Sequence, residues 1–519
     1  MKKIILLFCV CVWGNIAEAQ QLLADPNQKK ITILYTNDLH SHVEPHKVQW
    51  ISFERMVGGF ANIATLVKKE KAANPNVLYL DAGDYFCGPY ISSLTNGEAI
   101  IDIMNYLDID ATTIGNHEFD YGWENAHVQL QKAKFPILNG NIFLKGTDSL
   151  FWDNPFKILN VDEVMIGVIG LHGKFAFYDT TAEDMVTGIE TKDEVHYLKK
   201  YIEELKDKVD LIVLLAHQGI PSRQSSTGTS DVSRNLQADI DLANKVSGID
   251  IIITGHAHQG TPQPLLTNGT LIVSTDALGV ELGKLEFVYD PTSDKITSYT
   301  NALEYLYDDA VEDDTTVLRV IKEWKNKIQF ITDEKVCVST AHLTRSYSEE
   351  SLLGNLVADA MLHAFPEVDL ALTNSGGLRQ DIEADTITVG HLISAFPFPN
   401  TVVQMELTGK QLKELFEHGA SLTNGVLQVS HGFEITYDER KGIGNRLVKC
   451  QFKGQSMVDN KTYKVLTSNF LADGGDGFVA FKSGENIKKT TVEILKTMVN
   501  YLKTFTKYTP IKEGRVVKL

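Results

Sequence analysis

A two-part α/β fold is what this sequence predicts, and three observations carry the prediction. The chain has 519 residues, more than one ordinary hydrophobic core accommodates. From residue 30, short β-branched runs alternate with amphipathic helical stretches, the pattern of a sheet whose strands are buried under helices. An acidic, breaker-like stretch at 307–314 then interrupts this rhythm, and a different texture follows it.

The elements follow in chain order. Lys2 and Lys3 precede an apolar run of ten at 4–13, too short to span a bilayer, and Ala17-Glu18-Ala19 fits a small-x-small cleavage pattern. Residues 1–19 are therefore expected to be a signal peptide, with Gln20 opening an exported, periplasmic or extracellular chain. Leu6, Leu7 and Phe8 lack the small residues of a lipoprotein signal. Residues 31–35, 77–80, 111–114, 164–171, 211–215 and 251–254 read as strands, and 59–73 and 192–208 as helices between them. Residues 315–329 read as one helix with Val317, Val320, Ile321 and Trp324 on a common face, and 315–337 as the region joining the halves. Beyond it come a helix at 351–365, further strands, Gly-rich turns and a last strand near Val516. The expected units are thus 30–314 and 338–519.

Composition narrows the function. Lys and Arg number 49 against 67 Asp and Glu, a net charge of −18, which disfavours a nucleic-acid polymer as partner. No apolar stretch after the leader approaches membrane length. Removal of the leader leaves Cys87, Cys337 and Cys450. They match no zinc or haem spacing, and either a Cys337–Cys450 bridge or three buried thiols would suit them.

The chemistry-bearing residues gather at strand ends. Asp38 and His40 follow the first strand in Tyr35-Thr-Asn-Asp-Leu-His40, Asp84 the second, and Asn116 and His117 the third in Gly115-Asn-His-Glu-Phe-Asp120. His217 ends the fifth, and His256 and His258 end the sixth. Ligands of open α/β sheets collect at the carboxyl ends of strands, and residues two apart in an extended chain share a side. Asp38, His40, Asp84, Asn116, His217, His256 and His258 can therefore converge. With Asp84 bridging, they supply four bonds to each of two divalent cations and leave positions for water and substrate. An all-N/O donor set suits Zn, Mn, Co or Fe. Position 121 is Tyr where a His-Glu-x-x-His metalloprotease needs His, and no Gly-x-Ser-x-Gly elbow appears.

In that order the motifs resemble the calcineurin-like metallophosphatases, and Gly115-Asn-His-Glu-Phe-Asp120 resembles their 5′-nucleotidase branch. Asn374-Ser-Gly-Gly-Leu-Arg379 and Asn469-Phe-Leu-Ala-Asp-Gly-Gly-Asp-Gly-Phe478 in the second half are similar to that branch's substrate loops. The resemblance covers about 30–519. It implies a metallophosphatase α/β sandwich, a linker helix and a smaller α/β nucleotidase domain. It implies Asp38, His40, Asp84 and His258 on one metal, and Asp84, Asn116, His217 and His256 on the other. His117 with Asp120 would form a dyad that offsets charge on an equatorial phosphoryl oxygen or assists the leaving alkoxide. Phe398 and Phe470 would sandwich the base, Asp476 would accept from the ribose, and Asn374 and Arg379 would reach base or phosphate, with Arg345 as a further charge. Ser375 and Pro399 stand where the family has Gly. The expected activity is hydrolysis of nucleoside 5′-monophosphates in nucleotide catabolism. The same framework also serves 2′,3′-cyclic nucleotides, 3′-nucleotides and UDP-sugars, and a nucleotide receptor without turnover is the alternative of another class.

Overall fold

The computed structural model of the chain describes residues 27–519 except Gln49, Phe53, 221–231, Thr423 and Asn424. The expected leader at 1–19, with Cys9 and Cys11, lies outside the described residues.

The first half is built on two six-stranded sheets. In one, Lys29–Thr36 pairs in parallel with Val77–Asp81, which leads on in parallel to Ala111–Thr113 and Ile137–Leu138. In the other, Leu211–Gln218 lies parallel to both Val164–His172 and Ile251–His256. Alternation of side chains along each strand explains how the layers assemble. Ile31, Ile33 and Tyr35 share one core cluster with Val213, Leu215, Ile251 and Ile253, whereas Leu34 joins the helix-side cluster of its own sheet. Ile212 and Leu214 likewise meet helix-side residues of theirs, such as Leu198 and Leu205 of the helix Glu194–Leu205.

Two long antiparallel strands, Glu281–Asp290 and Lys295–Tyr305, extend the first sheet beyond Lys29–Thr36. They are not among the strands expected from the sequence. The outer one is largely solvated, so its apolar run is diluted by Thr, Ser and Asn.

The helix Thr315–Thr332 covers the first sheet, burying Val317, Val320, Ile321 and Ile328 beside Phe60, Ile63 and Val67 of the helix Phe60–Ala73. Its N-cap is the last residue of the acidic stretch. Asp314 Oδ1 accepts from the amides of Thr316 and Val317 at 3.0 and 2.9 Å, satisfying two donors that the helix cannot. Trp324 donates to Asp102 at 2.9 Å.

The second half is a smaller α/β unit. Leu370–Asn374, Thr462–Ser468 and Thr401–Thr408 form the middle of a five-stranded sheet. The helices Leu352–Ala364 and Ile494–Lys503 pack together beside it, and Leu356, Met361, Met498 and Leu502 share their core cluster. Phe433–Tyr437 and Val516–Lys518 belong to a further four-stranded sheet. Cys87, Cys337 and Cys450 are all buried free thiols, and Cys337 and Cys450 lie in different core clusters. Among the described residues no helix is long and apolar enough to cross a membrane.

Candidate active site

The parallel strands deliver their ends to one place. Asp38 and His40 follow Lys29–Thr36, Asp84 follows Val77–Asp81, and Asn116 and His117 follow Ala111–Thr113. His217 and His256 are themselves strand residues of the second sheet. Five of the seven expected ligands, Asp38, His40, Asp84, His256 and His258, have positive φ between 42° and 72°. Left-handed backbone at non-glycine residues is costly and survives where the surroundings over-determine it, as at functional turns. Gly115 is required here by proximity: a Cβ on it would lie 2.1 Å from Asp84 Oδ1.

Two donor groups result, Asp38–His40–His258 and Asp84–His217–His256, and in each the ligand atoms lie within 4.8 Å of one another. His40 Nε2 faces His258 Nε2 at 2.9 Å, and Asp38 Oδ1 stands 3.8 and 3.3 Å from these two nitrogens. Asp84 Oδ2 lies between the groups, 3.1 Å from His217 Nε2 and 3.9 Å from His40 Nε2. Asn116 Oδ1 is 3.2 Å from His217 Nε2.

Carbonyl oxygens fix two of the rings. His217 Nδ1 donates to Ala82 at 2.8 Å and His40 Nδ1 to Phe86 at 3.3 Å, which turns each Nε2 inward. Burial, helped by nearby cations, holds His40 and His256 well below the ordinary histidine range, so their inward nitrogens carry lone pairs. Buried His256 Nε2 and Asn116 Nδ2 have no hydrogen-bond partner, which is costly for polar groups that nothing else joins. The neutral rings of His40 and His256, the latter with its orphaned nitrogen, and the carboxylates of Asp38 and Asp84 fit a pair of divalent cations. Burial opposes charge on His217, but Asp84 holds its pKa up at about 9, so it carries a proton that a bound cation would displace.

His117 opens the 3-10 turn His117–Phe119, and this turn brings Asp120 back to it, with Nδ1 to Oδ2 at 2.9 Å. Burial opposes charge on this imidazole, but Asp120, Cys87 and Asp84 together hold its pKa well above the usual value. It is thus a cation poised beside the donor groups, with its ring 5.0 Å from that of His40.

Sequence reasoning assigns nothing to Glu118, although it lies within the third motif. Its buried carboxyl accepts from the amides of Asp84, Tyr85, Phe86 and Gly115 at 3.0, 2.9, 3.1 and 2.6 Å. It thereby ties together the two loops that carry Asp84, Asn116 and His117. Cys87, equally without a role in the sequence motifs, lies against His117 and Asp120.

The second half closes the site. A cleft is lined by His117, Asp120, His256 and His258 on one side and by Asn374, Arg379, Phe398, Phe470 and Asp476 on the other. Arg379 Nη2 comes within 3.4 Å of His40 Nε2. The Phe398 ring lies 6.0 Å from the His117 ring, and both Phe398 and Phe470 are half-buried, as residues facing a ligand are. Asn374 donates to Asp476 at 2.8 Å, joining the two loops that line this side of the cleft. A Cβ on Gly475 would strike the Phe470 ring at 2.4 Å, so glycine at this position is what lets the ring lie against the loop. Ser375 has no positive φ, so its loop does not need glycine there; instead its hydroxyl donates to Val426 at 2.7 Å and accepts from Gln428 at 3.0 Å.

Arg345 is placed differently. It does not line this cleft but donates from its guanidinium to the Arg379 carbonyl from behind, and its Nε lies 3.5 Å from Asp381. Thr180, Ala182 and Met185, which sequence reasoning does not single out, line the cleft from the first half.

Comparison with known proteins agrees with the two-domain α/β fold. Residues 31–260 match the family model of calcineurin-like phosphoesterases, and residues 328–483 match that of the 5′-nucleotidase C-terminal domain. The 5′-nucleotidase of Homo sapiens is 30% identical over 509 residues, covering 87% of this chain and 84% of that protein. A trifunctional nucleotide phosphoesterase of Bacillus subtilis (strain 168) is 27% identical over 94% of this chain and 35% of its own. A solved 5′-nucleotidase precursor from Thermus thermophilus superposes with a TM-score of 0.82 at 27% identity, covering 95% of this chain and 99% of that one.

Proposed function

Because the chain belongs to the 5′-nucleotidase family of calcineurin-like phosphoesterases and is a phosphoester hydrolase, we propose that it hydrolyses nucleoside 5′-monophosphates to nucleoside and phosphate. The observation that carries this reading is the single cleft with two unlike ends. One end holds the His/Asp donor groups and His117; the other holds two phenylalanine rings and Asp476. A nucleoside monophosphate has the matching halves, an anionic phosphate and a flat base joined by a sugar.

Asp38, His40, Asp84 and His258 would hold one divalent cation, and Asp84, Asn116, His217 and His256 a second. When bound, such a pair supplies Lewis acidity toward phosphoryl oxygens and lowers the pKa of water. Zinc, manganese and cobalt all suit these N and O donors. His117, kept cationic by Asp120, donates a hydrogen bond to a phosphoryl oxygen or to the departing sugar oxygen as negative charge develops there. Arg379 offsets charge from the opposite wall. Phe398 and Phe470 stack on the base, contacts that tolerate different bases and contribute about 1–3 kcal/mol each. Asp476 accepts from the sugar hydroxyls, and Asn374 holds Asp476 in place. Arg345 acts on the substrate only through Arg379, by holding its carbonyl. Substrate selection thus falls to the second unit, which begins after the helix Thr315–Thr332. With its leader removed, the enzyme acts outside the cytoplasm, where intact nucleotides must be dephosphorylated before uptake.

One relative carries the name of a trifunctional nucleotide phosphoesterase, so the substrate range is the point to test. AMP, 2′,3′-cyclic AMP and UDP-glucose are offered at equal concentration to the metal-loaded enzyme, and the product of each is measured: phosphate from AMP, the ring-opened nucleoside monophosphate from the cyclic nucleotide, and UMP with sugar phosphate from UDP-glucose. Fastest turnover on AMP is expected. A cyclic nucleotide or UDP-glucose turned over faster than AMP would keep the site and move the substrate.

A further inference from the structure

Cys87 is a buried thiol that the proposed reaction leaves without a task. It sits three residues beyond Asp84, and its sulfur, a ring nitrogen of His117 and a carboxylate oxygen of Asp120 all lie within 4.8 Å of one another. These three donors differ from the two groups described above in one chemical respect. Those groups present only nitrogen and oxygen, and this one presents sulfur. Thiolate ligands select soft cations, and zinc accepts one S, one N and one O ligand with a fourth position left for water. The side chains of His117 and Asp120 are 12% and 10% exposed and line the cleft, so an ion can reach them from solvent.

We propose that Cys87, His117 and Asp120 form a third cation site, selective for a thiophilic divalent ion such as zinc, whose occupation withdraws His117 from the substrate and stops turnover. The inhibitory part rests on the role given to His117 above. As the sulfur–metal bond forms, the thiol proton leaves to solvent, and the imidazole likewise gives up a proton to bind. One thiolate and one carboxylate balance the two positive charges of the ion. The Arg379 guanidinium, whose charge Cys87 also feels, and the two cations of the neighbouring donor groups, which reach His117 through His40 and Asp84, oppose it. Cys337 and Cys450 belong to no comparable donor group among the described residues, so a sulfur-bound ion would report on Cys87.

The test loads the enzyme with manganese and then titrates it with cadmium, the spectroscopic stand-in for zinc. Cadmium–thiolate absorbance in the ultraviolet and AMP turnover are followed together in wild type, Cys87→Ser and Cys87→Ala. Cadmium NMR of the wild type alone reports whether sulfur is a ligand, so misfolding of a variant does not decide the matter. The expected result is one thiolate band per wild-type chain, absent from both variants. Inhibition by cadmium or zinc, each referred to the variant's own uninhibited rate, should require at least about tenfold more ion in the variants. A band that survives in both variants, or a cadmium resonance without sulfur ligation, overturns the site. A Cys87-dependent band with undiminished turnover would support the site and overturn the role given to His117.

Discussion

His117 illustrates how a single residue is set by its neighbours. Buried alone it would be neutral, yet Asp120 at 2.9 Å and the Cys87 and Asp84 side chains keep it cationic. Replacing it with Ala should lower kcat by about 100- to 10,000-fold while bound metal stays at the wild-type level, checked by elemental analysis of the same preparation. Unchanged kcat would remove it from the reaction. Asp250 offers a titration away from the site. Burial pushes its carboxyl up to about 6, against the stabilising amide of Ile212 at 2.8 Å. A raised folded-state value means that the stability it contributes is complete below about pH 4 and is lost as pH rises through about 6. Asp250→Asn escapes that loss. Relative to wild type it should gain about 1–2 kcal/mol between pH 4 and pH 7, the partial exposure of Asp250 trimming the effect, as read from denaturant unfolding at both pH values. A constant difference between the two proteins would contradict this. At this scale the seven donors are legible in the sequence because Asp, Asn and His are conspicuous after apolar runs. Glu118 is not, because its partners are four backbone amides that no side-chain pattern announces. Arg345 reads as a substrate contact because sequence gives its charge and not the direction it faces.

Among the elements, the strands place the donors and the turns after them aim the donors. The carboxyl ends of Lys29–Thr36, Val77–Asp81 and Ala111–Thr113 are neighbours in one sheet, and Leu211–Gln218 and Ile251–His256 are neighbours in the other. Their β-branched runs make them readable. The left-handed backbone at Asp38, His40, Asp84, His256 and His258 is hidden, since local propensity argues against it. Gly115 is the point where this geometry is most exposed to substitution. Gly115→Ala drives a methyl group into Asp84 Oδ1, and the expected outcome is loss of at least half of the bound metal with a correspondingly inactive but folded chain. Full metal content with normal activity would show that the Asp84 loop yields freely. Lys295–Tyr305 escapes sequence reading because a solvated edge strand dilutes its apolar alternation. The inner strand Glu281–Asp290 does alternate, burying Leu285, Phe287 and Tyr289, and is legible in the sequence although the expected strands omit it.

Over the whole molecule, the sequence announces two α/β units through length, rhythm and the change at 307–314, and the resemblance of its loops supplies their partnership in one cleft. Composition and rhythm do not give which face of the second half meets the donors, because that depends on packing between distant segments; only the resemblance implies it. The structure answers with Arg379 against His40 and with Phe398 and Phe470 across from His117. If the second unit grips the base, Phe470→Ala should raise KM for AMP about 5- to 100-fold with a smaller change in kcat, measured by steady-state phosphate release. An unchanged KM would place the base elsewhere. The central claim is that both donor groups must be filled for the phosphate to be cleaved. It is tested by stripping the enzyme of metal and following phosphate release from AMP as manganese, zinc or cobalt is returned in measured equivalents. No release is expected from the stripped enzyme, and the rise should be complete only when two ions per chain are bound. Full activity in the stripped enzyme, or at one ion per chain, would contradict the claim.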